Sequence, residues 1–130
     1  MSVRTKVYDG LTTYAPLTAL LAEGANGVKA GGSIIGRIDL RPFLIYRCQE
    51  VRPVLRGDDF VHVDHTNVEV WAYDEPGSFT RIEDILRVIV AHVPTIVGLK
   101  AEYRGMSGEL PDDDQKAITK NVVFACWDRS

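Results

Sequence analysis

The longest regular hydrophobic spacing in the chain lies over residues 79–93, FTRIEDILRVIVAHV. Phe79, Ile82, Ile85, Leu86, Ile89, Val90 and Val93 fall on one side of a helical repeat, with Arg81, Glu83, Asp84 and Arg87 on the other. The spacing predicts an amphipathic helix. Ser78 is its expected N-cap, Thr80 and Glu83 an alternative capping box, Glu83 and Arg87 an ion pair one turn apart, and Pro94 the stop. A second helix is expected over 12–24, TTYAPLTALLAEG, from the spacing of Leu17, Leu20 and Leu21, with Pro16 in its first turn and Gly24 at its end.

Elsewhere the period shortens to two. In FLIYRCQEV, residues 43–51, Leu44, Tyr46 and Cys48 share one face and Phe43, Ile45 and Arg47 the other, which predicts an interior strand. Residues 60–74, FVHVDHTNVEVWAYD, form a second extended run that pairs with the first as an antiparallel hairpin. Its phase is inconsistent: Val68, Val70 and Ala72 share a face, but Val61 and Val63 fall in step with Glu69, Trp71 and Tyr73; either a bulge or turn near His65 to Asn67 reconciles them, or one long strand has its second side covered at one end by a neighbour. The glycine-rich stretch 26–42 reads as a loop or a poorly ordered entry to the sheet, LKAEYRG and ITKNVVFACWDR as two closing strands, and the polar segment 106–116 between them as a projecting loop. The pattern amounts to one α+β domain over 1–130, an antiparallel sheet of about four to five strands with two helices packed mainly on one face.

Composition narrows the functional classes. Hydrophobic residues at 45% and charged residues at 25% match an ordinary folded domain, so disorder is not expected. The net charge is -3 and the basic residues are scattered, which argues against a phosphate-gripping surface. No apolar run approaches the roughly 18 residues of a membrane helix, and MSVRTKVYDG lacks the apolar core of a signal peptide, so a cytoplasmic chain is expected. Cys48 and Cys126 both sit in strand-like runs, where free buried thiols are expected.

Catalytic motifs are sparse: the chain carries no phosphate-binding loop, nucleophile elbow, H-E-x-x-H or C-x-x-C. The strongest chemical candidate is HVDH, where His62 and Asp64 project to one side of a strand about 7 Å apart, close enough to share a proton or a metal. A metal needs further ligands, and polar side chains on an exposed strand face are the simpler account. PDDDQK lacks the alternating carboxylates, central glycine and distal glutamate of a calcium loop, so Asp112, Asp113 and Asp114 read as a solvated acidic tip whose natural partner is a basic protein surface. Trp71 and Tyr73 alternate with the apolar residues that fill the core, which leaves them for a face covered by another molecule.

A short N-terminal helix, a glycine-containing loop, RPFLIYR, then VEVWAYDEPGSFTRIEDILRVIVAHV and a closing strand pair together resemble the small tail terminator proteins of long-tailed bacteriophages, also called tail completion or head-tail joining proteins. The likeness covers residues 9–127 and is strongest in the strand ending V-x-V-W-x-Y-D, its turn, and the helix that follows. The resemblance implies a structural virion protein without catalytic residues or cofactor. It would form a homo-oligomeric ring, generally hexameric, that caps the tail tube, ends its polymerisation and joins the tail to the head connector. Its partners would be the tail tube protein and a head-closure or connector protein, with DNA passing through the lumen unread and no membrane involved. The protein would sit at the head-proximal end of the tail in the virion, after assembly in the host cytoplasm. Glu69, Trp71 and Tyr73 are the expected subunit interface. Contacts to neighbouring rings would come from the turn over 52–59, with Arg52, Arg56, Asp58 and Asp59, and from the 106–116 loop, with Met106, Leu110, Asp112, Asp113 and Asp114. A head-closure ring of the same phage neck is the neighbouring alternative; a small metal-dependent or acid/base enzyme using His62 and Asp64 is one from a different class.

Overall fold

The computed structural model of the protein describes residues 2–31, 36, 38–51 and 65–129. Its first element is hidden among polar residues. Val3, Val7 and Leu11 recur at every fourth position and lie buried along α1 (Val3–Thr12), and the Ser2 hydroxyl caps it by accepting from the Thr5 N–H at 3.2 Å. The helix expected over 12–24 shrinks to one turn, α2 (Ala15–Thr18), which buries Leu17. Beyond it a tertiary bond prevails over helical spacing: the Ala22 N–H donates to the Pro42 carbonyl at 3.0 Å, Leu20 is left exposed, and Gly24 turns the chain at φ +59°.

The strands among the described residues are β1 (Val28–Ala30), β2 (Phe43–Val51), β3 (His65–Asp74), β4 (Leu99–Met106), β5 (Leu110–Asp112) and β6 (Ala117–Asp128). They form one sheet in the order β1-β2-β3-β6-β4, with β5 also on β6; β1 runs parallel to β2 and every other pair is antiparallel. The α+β class is therefore as the pattern predicts. The strand count exceeds it because β1 and β5 are only three residues long, too short for alternation to register. The β2–β3 pairing holds its register from Phe43↔Tyr73 to Val51↔His65, so no bulge interrupts His65 to Asn67. Val61 and Val63, which raised the phase conflict, lie outside the described residues.

Alternation divides the sheet as read. Leu44, Tyr46, Val68, Val70, Ala72, Val122, Phe124 and Cys126 form the core with α1 and a third helix, α3 (Phe79–His92), which buries Ile82, Ile85, Leu86 and Ile89. Each fully buried aliphatic or phenyl side chain contributes roughly 1.5–3 kcal/mol. Ser78 occupies the N-cap of α3 but its side chain makes no capping bond. The turn is held by Asp74 instead: its fully buried carboxylate accepts from the Glu75 N–H at 2.8 Å and from both Nε and Nη2 of Arg81, while Gly77 takes φ +92°. Nor does Glu83 meet Arg87. It pairs with Lys120 at 3.6 Å, and Arg87 with Asp84 at 3.2 Å, because β6 brings Lys120 alongside the helix.

The segment 106–116 does not project as a polar loop. Its β5 folds back on β6, and Gln115 is buried, holding the Ile38 N–H at 2.8 Å and the Gly36 carbonyl at 2.9 Å. Arg41, its side chain only 2% exposed, completes this strap by donating to the carbonyls of Ile38, Gln115 and Lys116 and pairing with Glu75 at 3.2 Å. The strap covers one end of the sheet face opposite the helices and encloses a second small core of Phe43, Ile45, Tyr73 and Ala117, with Ile38 and Trp71 packed on it.

Two substitutions test these polar anchors. Arg81→Ala leaves the buried Asp74 carboxylate without its partner and is expected to destabilise the fold by about 3 kcal/mol in urea unfolding. Arg41→Met is expected to lower stability by a similar amount, about 2–4 kcal/mol, through three orphaned carbonyls. Near-neutral results for either variant would show that the turn or the strap is held by something else.

Candidate functional site

Cross-strand register builds the face that the helices leave open. Ile45, Trp71 and Asn121 form one row; Arg47, Glu69 and Val123 the next; Gln49, Asn67 and Ala125 the third. Trp71 is half-buried, and its Nε1 donates to Glu69 Oε2 at 3.2 Å, which orients both side chains. Asn67 Oδ1 lies 3.1 Å from His65 Nε2, and the His65 ring rests beside Trp127 with centroids 5.6 Å apart. Lys100 on the neighbouring strand reaches over the same indole at 4.9 Å.

The expected interface trio separates here. Glu69 and Trp71 remain partly accessible, but Tyr73 is 8% exposed and stacks on Phe43 with centroids 4.8 Å apart and planes 4° apart. Its own chain covers it. The strap supplies that cover, and the sequence held no hint of it because Ile38 and Gln115 are 77 residues apart. Burial, with the Asp112 carboxylate adding to it, pushes the Tyr73 phenol up from its usual value.

The ring-contact candidates divide as well. Arg52, Arg56, Asp58 and Asp59 lie outside the described residues, as do His62 and Asp64. Asp112 is tied inward, accepting the Gln115 N–H at 3.0 Å, whereas Asp113 and Asp114 are exposed at the tip between β5 and β6 and Leu110 is 45% exposed. Met106 belongs to an edge feature. The β4 register slips between Tyr103 and Gly105, and this bulge turns Tyr103 and Met106 to the same side, where with Val90 they line a groove of about 290 Å³ rimmed by Glu83, Arg87 and Lys120. Both remain over two-fifths exposed.

A larger cavity, about 530 Å³, opens where the open face meets the β2 edge. Arg4, Arg47, Gln49, Asn67 and Glu69 bring polar groups to it, and Val123 supplies part of its floor. Sequence reading passed over Arg4 and Arg47. The strand alternation gave the side of Arg47, but the approach of Arg4 depends on α1, and its Nη2 meets the Cys48 carbonyl at 3.4 Å.

The thiols offer no nucleophile. Burial pushes Cys48 up, and pushes Cys126 up to about 12, so both are protonated at neutral pH. Both are free. His92 stacks on Tyr14 at 3.7 Å, with Nε2 2.9 Å from the Gly10 carbonyl, and among the described residues no group of three or more His, Cys, Asp or Glu side chains is placed to hold a metal.

Folding raises the Cys126 thiol, so its stabilising contribution is complete below the ordinary value of about 9 and declines as pH climbs towards 12. Tyr46 and Tyr73 shift in the same direction. The urea midpoint is therefore expected to fall as pH rises from about 9 towards about 12, and to fall less in Cys126→Ala. An equal drop in the variant would remove Cys126 as a cause. No protein-family model matches the chain, and a search of curated proteins finds no significant match.

Proposed function

We propose that the chain is a structural assembly protein of the tail-terminator kind, a homo-oligomeric ring that caps a phage tail tube, ends its growth and joins it to the head connector. The observation that carries this reading is that the two sides of the sheet hold unlike surfaces. The β2 side holds a polar cavity with two guanidiniums; the β4 side holds the Tyr103 and Met106 groove and the acidic tip. Contacts between unlike patches run head to tail, and when the rotation closes they make a ring.

Two further features support it. The strand, turn and helix from Val68 to Val93, on which the resemblance rests, form one rigid unit pinned by Asp74 and Arg81, and this unit presents Glu69 and Trp71 on the open face. The net charge of -3 suits a lumen through which DNA slides without being gripped.

Deleting the gene from its phage is expected to leave heads and tails unjoined, with tails of irregular length in negative-stain images. A tagged copy should label the head-proximal end of complete tails. Normal particles from the deletion would overturn the proposal.

A further inference from the structure

The cavity at the β2 edge is lined by two guanidiniums. Among the described residues lining it, Arg4 and Arg47 face the Glu69 carboxylate, whose Oε2 is already engaged by the Trp71 indole N–H at 3.2 Å, while Glu50 lies beside Arg4 in an adjoining cavity. One Arg4 nitrogen is held by the Cys48 carbonyl, and a guanidinium carries further donors on its other edges. The Arg47 stem crosses the end of β1 so closely that a Cβ on Gly31 would lie 2.3 Å from its Cγ. Gly31 thus provides the path by which Arg47 reaches this position, and the Gln49 and Asn67 amides add neutral donors.

An anion of matching form is displayed elsewhere on the same molecule. Asp113 and Asp114 are exposed, on a turn fixed from below by the Asp112 carboxylate on the Gln115 N–H and by burial of Gln115. A tip anchored in this way loses little freedom on docking. It lies beside β5, three strand positions from β2, which is roughly 14 Å across the sheet, so in a single molecule tip and cavity stand apart.

We propose that the Asp113 and Asp114 tip of one copy docks between Arg4 and Arg47 in the cavity of the next copy. Carboxylate pairing with guanidinium is directional and can be bidentate, so it sets the angle between neighbours as well as attracting them. Each copy then offers one tip and one cavity, as a head-to-tail ring requires. The contact rests on the ring reading and names its chemistry.

Charge reversal on each side provides the test. One full-length variant carries Asp113→Lys with Asp114→Lys, and another carries Arg4→Glu with Arg47→Glu; Arg4→Glu alone, on the exposed side of α1, replaces the second if circular dichroism shows that it unfolds. Sedimentation velocity up to about 1 mM is expected to show each variant alone self-associating at least tenfold more weakly than the original chain. The equimolar mixture is expected to recover association to within about threefold, because reversed tips meet reversed cavities in alternation. The contact is overturned if the original chain stays monomeric throughout, if either variant associates as the original does, or if the mixture does not recover. Rings seen on tails alongside any of those results sink the contact and leave the ring reading standing; particles without rings sink the ring reading whatever the mixture does.

Discussion

A carboxylate with no exposed surface persists in a protein only if fixed donors replace its water, and Asp74 has three: the Glu75 N–H and two nitrogens of Arg81. Those bonds join the last residue of β3 to the first turn of α3, and so set where the helix starts relative to the central strand. Once that start is fixed, Ile82, Ile85, Leu86 and Ile89 fall over Val68 and Val70, and the helix side of the sheet is closed. Apolar packing supplies most of the free energy, but it tolerates sliding; the ion pair does not.

The sheet is consequently a divider between two unequal compartments. The larger holds the helices and the main core. The smaller depends on a guanidinium and an amide, Arg41 and Gln115, which tie Gly36 and the strap at 38–42 to the turn before β6 and leave Tyr73 only 8% exposed. Among the described residues, what lies beyond the strap on this face is mostly polar and begins at the row of Arg47, Glu69 and Val123. Position of the cavity and reach of the strap are thus one fact.

Strong periodicity was legible in the sequence, and distance along the chain was not. The bounds of β2 and α3, and the two faces of β2 and β3, follow from spacing alone because each repeats its pattern over several turns or pleats. By contrast α1 has only Val3, Val7 and Leu11 among polar neighbours, and β1 and β5 are too short to carry a period. The expected partners of Ser78, Glu83 and Arg87 were local choices that tertiary neighbours displaced, Asp74 and Lys120 among them. The candidate site fared similarly: Trp71 and Glu69 sit where alternation placed them, while the burial of Tyr73 and the meeting of Arg4 with Arg47 depend on segments tens of residues away.

The slip in β4 has a bearing on solubility. An edge strand offers unpaired backbone groups to any other strand it meets, and sheets can grow edge to edge without limit. Here the edge carries Lys100, Glu102 and Arg104 at alternate positions, linked along the strand at 3.7 and 3.1 Å, and then loses its ladder spacing at Gly105. A foreign strand laid along it meets alternating charge and then a misfit. This edge therefore discourages amyloid-like extension at high local concentration, and leaves recognition to side chains, whose geometry can be satisfied and then stop.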